Sequence, residues 1–69
     1  MVEVFKTNVE EQEQAAKLVE VLIHHFPLSR INFDLDDCDR ILRVEGDTVS
    51  YKEIIELITV NGYQCKILE

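Results

Sequence analysis

The chain predicts an α+β sandwich built in the order strand, helix, strand, strand, helix, strand. Three observations carry that expectation. Segments with period-two apolar alternation and segments with helical apolar spacing follow one another in that order. Each helical segment opens with a capping-box pattern, Asn8-Val9-Glu10-Glu11 and Ser50-Tyr51-Lys52-Glu53. In both, a short polar side chain stands ready to cap and a Glu three residues later to reach back. Asn61-Gly62 supplies a stop, because Gly readily takes the left-handed conformation at a helix end.

Val2 to Thr7 reads as strand one, with Val2 and Val4 alternating against Glu3 and Phe5, so that either face suits burial. Helix one runs from about Val9 to Phe26. Ala15, Leu18, Leu22 and Phe26 recur at helical spacing with Val19 and Ile23 beside them. Glu10, Glu11 and Glu13 favour its positive end, and Pro27 stops it. Ile31, Phe33 and Leu35 alternate with Asn32 and Asp34, the signature of a strand with one wet face. Phe33 is expected to point into the core from a central position on that strand. Asp36-Asp37-Cys38-Asp39 reads as a hairpin turn, and Arg40 to Glu45 as the return strand with Leu42 and Val44 inward. Helix two spans about Tyr51 to Asn61 and buries Ile54, Leu57 and Ile58. Tyr63, Cys65 and Ile67 alternate as the last strand.

Strand–helix–strand units cross over right-handedly by strong preference. Two of them joined by a hairpin give a ferredoxin-like βαββαβ sandwich over residues 1–69, a single domain. The antiparallel sheet order is 4-1-3-2, with two helices on one face.

Bulk properties limit the function. Sixty-nine residues allow one core, and a chain this short buries only roughly 60% of its unfolded surface. Fourteen acidic and seven basic residues give a net charge of −7, which repels phosphates and anionic lipid. Nucleic acid and membrane are therefore not expected as partners, whereas a basic protein surface is. The opening residues lead to the expectation of no signal peptide, no apolar run reaches membrane length, and the thiols are expected reduced in a cytoplasmic protein. The oligomeric state expected is a monomer or weak dimer.

This topology gathers three connections at one end of the sheet. They carry Asn8, Glu10, Glu11 and nearby Gln14, then Asp36, Asp37, Cys38 and Asp39, then Gly62 and Tyr63. Loops at one end of a rigid scaffold are where sites usually lie.

The segment order, Ser50-x-x-Glu53 and Asn61-Gly62-Tyr63 resemble the heavy-metal-associated domain family of copper chaperones and metal-pump modules. The resemblance covers essentially the whole chain. Members carry Gly-Met-x-Cys-x-x-Cys in the first loop, where two thiolates hold a soft ion. Laid on that pattern, Asn8 stands at the Gly, Val9 at the Met, Glu11 at the first Cys and Gln14 at the second. Tyr63 matches a position beside the metal loop. The resemblance thus implies the scaffold of a degenerate member without the thiolate site.

Elsewhere the bland reading outweighs the sharp one. Cys38 reads as an inert turn cysteine and Cys65 as a small apolar residue. Strands at opposite edges lie roughly 14 Å apart, beyond the ~7 Å reach of a disulfide. Asp36, Asp37 and Asp39 lack the spacing and glycine of a calcium loop. His24 and His25 are adjacent on a helix and point apart. No nucleophile–base pair or phosphate loop appears, so no catalytic residue, resident cofactor or metal site is expected. The leading expectation is a non-enzymatic protein-interaction module, acting through the acidic loop end or the open sheet face, to which Phe5 adds apolar area. One alternative is metal or cation binding through Cys38, Asp36 and Glu11. Another is an ACT-like small-molecule regulatory domain, although a glycine-rich ligand loop is missing.

Overall fold

The structure, a computed structural model, describes residues 1–47 and 49–68. Its elements are β1 (Val2–Thr7), α1 (Gln12–His25), β2 (Arg30–Asp34), β3 (Ile41–Glu45), α2 (Tyr51–Val60) and β4 (Cys65–Ile67). All strand pairs are antiparallel, in the order β2-β3-β1-β4, which read from the other edge is 4-1-3-2.

The core decides the phase that strand one left open. Phe5 and Thr7 point inward, while Val4 stands on the opposite face and Val2 is exposed. Phe5 lies between Leu42 on β3 and Ile67 on β4, and is fully buried, so it adds nothing to the open face. The larger side chain takes the interior because burying an aromatic ring removes more apolar area from water. Ile31, Leu42 and Val44 join it from β2 and β3, and Ala15, Leu18, Leu22, Ile54 and Ile58 from the helices, in one cluster. The helices thus share the sheet's inner face. Leu42 and Val44 face inward as their alternation predicts.

β2 is the edge strand that the order 4-1-3-2 predicts, and Phe33 points to the core side as expected but is only half-buried there. Ile23, expected beside the apolar stripe of helix one, is exposed.

The helix ends obey local chemistry, though not always the expected one. α1 begins three residues later than the Asn8 pattern predicts, with Glu11 at the N-cap and its N–H donating to Gln14 Oε1 at 3.2 Å. Asn8 is drawn off by the last loop instead, accepting from the Gln64 N–H at 2.7 Å. Ser50 occupies the N-cap of α2 without a side-chain cap, so that capping box does not form. The α2 exit follows the expectation. Gly62 has φ 97°, the Tyr63 N–H donates to the Ile58 carbonyl, and the Gly62 N–H to that of Thr59. Those two bonds are the Schellman pair, which a left-handed glycine makes possible.

β4 is the weakest strand. It pairs with β1 through three residues only, and one of those pairs sets Lys66 opposite Lys6. Like charges directly opposed across a sheet destabilise it.

Replacing Phe5 with Ala is expected to cost about 3–5 kcal/mol, since it empties the centre of the core. Phe33→Ala should cost less, because β2 leaves part of that ring in water. Chemical-denaturation midpoints of the two variants check the order, and a larger loss at Phe33 would contradict the assigned burial.

Candidate functional site

The three connections expected at one end do converge, and Thr7 is what ties them. β1 ends there, and the Thr7 N–H faces two hairpin carbonyls, those of Asp39 and Arg40, each at 3.2 Å. The Thr7 hydroxyl donates to the Arg40 carbonyl at 2.7 Å and accepts from the Val9 N–H at 3.3 Å. Thr7 is the one buried polar residue among those described. Asn8 then bonds to Gln64, joining the first loop to the last. Val9 is fully buried and packs the loop onto the core.

The hairpin is shaped by its own aspartates. The Asp37 carbonyl accepts from the Arg40 N–H at 3.0 Å, and Asp37 Oδ1 accepts from the Asp39 N–H at 2.9 Å. The second bond is an Asx turn, for which a short carboxylate is well suited. Arg40 follows at φ 48°, the one non-glycine residue with positive φ among those described. Its Nη1 donates to the Asp37 carbonyl at 3.3 Å, while its Nε is buried with no partner among the described residues. Lys6 Nζ lies 3.4 Å from Asp39 Oδ1, so one hairpin carboxylate already has a cation.

The predicted residues therefore separate into those with structural duties and those free to meet a partner. Asn8, Gln14, Asp37 and Asp39 accept hydrogen bonds or pair within the end itself. Tyr63 is half-buried against the core. Glu10, Glu11, Asp36 and Cys38 are exposed. The ligand atoms of Asp37, Cys38 and Asp39 lie within 4.8 Å of one another; Asp36, Glu10 and Glu11 do not join that group. Both cysteines are free. Cys65 faces the helices, and burial pushes its thiol up to about 12 from 9.0.

One feature escaped the sequence reading. A groove of about 320 Å³ runs from the acidic hairpin onto the open sheet face. Val4, Ile41 and Leu68 give it apolar walls, Asp34, Asp37 and Asp39 its carboxylates, and Arg43 one cation. The hairpin and the open face, weighed as separate surfaces, are thus continuous. Once Phe5 is known to face inward, the alternation puts Val4 on the groove side; Ile41, next to inward Leu42, follows by the same rule.

Thr7→Val keeps the shape but removes the hydroxyl that Val9 and Arg40 use. It should destabilise the fold by about 1–3 kcal/mol, and amide exchange at Val9 should accelerate. An unchanged midpoint would show that the tie is dispensable. The thiols give a second check. Cys38 should react quickly with a thiol reagent and Cys65 slowly. Because the folded value of Cys65 lies above the unfolded one, the unfolded chain loses that proton first. Stability should therefore fall as pH rises from 9 toward 12, and Cys65→Ala should flatten that fall in pH-dependent denaturation.

No protein-family model matches the chain, and neither a curated protein nor a solved structure matches it.

Proposed function

We propose that this chain is a non-enzymatic protein-interaction module of the cytoplasm, with a ferredoxin-like scaffold akin to a heavy-metal-associated domain that lacks its thiolates. The groove beside the acidic hairpin carries the reading. Its apolar walls and three carboxylates suit a partner segment in which basic and apolar side chains alternate. A net charge of −7 draws such a segment in from a distance. Glu11 and Gln14, which stand where thiolates would be needed, are engaged in the helix start. No helix of the described residues is long and apolar enough to cross a membrane.

A second reading, a cation at the hairpin, draws on the proximity of Asp37, Cys38 and Asp39. Lys6 against Asp39 and the Asx turn at Asp37 weigh against it, since both compete for the same oxygens.

Titration with a peptide alternating Lys and Leu, followed by amide shifts, tests the leading reading. Shifts should appear along Val4, Ile41 and Arg43 and weaken with added salt. Changing Asp37 and Asp39 to Asn keeps the turn-forming oxygens while removing charge, and should slow association more than it alters dissociation. Undisturbed groove amides would reject the module reading. A further expectation concerns soft metals: in competition with a strong Cu(I) chelator, the protein should take no copper. Tight one-to-one uptake would favour the cation reading instead.

A further inference from the structure

We infer that the open edge of β2 is a self-pairing surface through which two copies of this chain join their sheets around a two-fold axis at Asn32. β2 is an edge strand of five residues, the longer of the two sheet edges, since β4 has three. An uncovered edge offers unpaired N–H and C=O groups to another strand. Its side chains then choose the occupant. Arg30, Asn32 and Asp34 are exposed on one face, and Ile31 and Phe33 point to the core side.

Antiparallel pairing requires opposed residues to share a face. The register centred on Asn32 satisfies that and uses the whole strand. It sets Arg30 of each copy against Asp34 of the other, Ile31 against Phe33, and Asn32 against its own equivalent. Sliding by two residues either way loses both charge pairs. Edges protected against pairing usually carry charges that repel an incoming strand. Here the two ends carry opposite signs, so self-pairing gains two attractive pairs while β2 offers no such match to a uniformly charged strand.

The local structure leaves these groups available. Arg30 meets Glu45 only at 3.9 Å, and its side chain is 83% exposed. The half-buried Phe33 gains cover from Ile31 of the second copy. A symmetric interface of this kind is self-complementary by construction. It is also smaller than a standard interface, and two copies of charge −7 repel, so the dimer is weak and concentration-dependent.

Charge reversal separates this pairing from any other contact. The full chain should show a monomer–dimer equilibrium by sedimentation at millimolar concentration. Arg30→Asp alone and Asp34→Arg alone each turn both attractive pairs repulsive, and each should weaken the dimer about tenfold or more. An equimolar mixture of the two variants restores both attractive pairs, as does the chain carrying both substitutions, and both should dimerise like wild type. The rescue also excludes misfolding as the cause of the single-variant loss. A wild-type chain that stays monomeric, single variants that dimerise unchanged, or a mixture that fails to associate would each overturn the inference.

Discussion

The buried hydroxyl of Thr7 is the contact on which the acidic end depends. It donates to one loop and accepts from another, and the backbone N–H of the same residue holds the hairpin a second time. A hydroxyl can do both because it carries a donor and two acceptor lone pairs. Threonine also suits the last residue of a strand, where β-branched side chains pack well. Each connection alone would have to offset its own ordering entropy. Tied through Thr7 and then through Asn8 to Gln64, they order one another. That anchor adds to the strand pairing on either side of the hairpin and to the Lys6–Asp39 ion pair in holding the aspartates beside the sheet.

The acidic end is consequently less uniform than its composition suggests. Asp37 is spent on a turn, Asp39 is shared with Lys6 and Glu11 caps α1, while Glu10 and Asp36 are exposed to solvent. Asp34 belongs to two surfaces at once, lining the groove and closing the β2 edge. Occupancy of the groove and pairing of two chains would then compete for one carboxylate, which couples the two in opposite directions by linkage.

Much of the fold was legible in the sequence. Period-two and helical spacing gave the element order, and Pro27 and Gly62 gave two helix stops. The rest turned on information that is not local. The phase of β1 was ambiguous because apolar residues occupy both of its faces, and only the partners Leu42 and Ile67 select Phe5. Asn8 looked like a cap until a partner 56 residues away claimed its oxygen. Phe33 takes the core side as its alternation predicts, but alternation does not report how much of a side chain an edge strand leaves in water. The convergence of the loops followed from topology, but the groove did not, since it needs the register of Asn32, Arg43 and Val4 across three strands.

The brevity of β4 bears on how the molecule opens. Three paired residues, one of them a lysine facing a lysine, hold the last strand to β1. Proteins open in cooperative pieces, and the piece with the fewest protected bonds goes first. Release of β4 leaves the β2-β3-β1 ladder intact and uncovers one flank of Phe5 together with the Cys65 thiol. That partial opening leaves a second bare edge on the sheet, this time on β1, a strand with valines on its outer face. The opposed lysines favour that opening, while the Lys6–Asp39 ion pair and the Leu68 N–H donating to the Val4 carbonyl resist it.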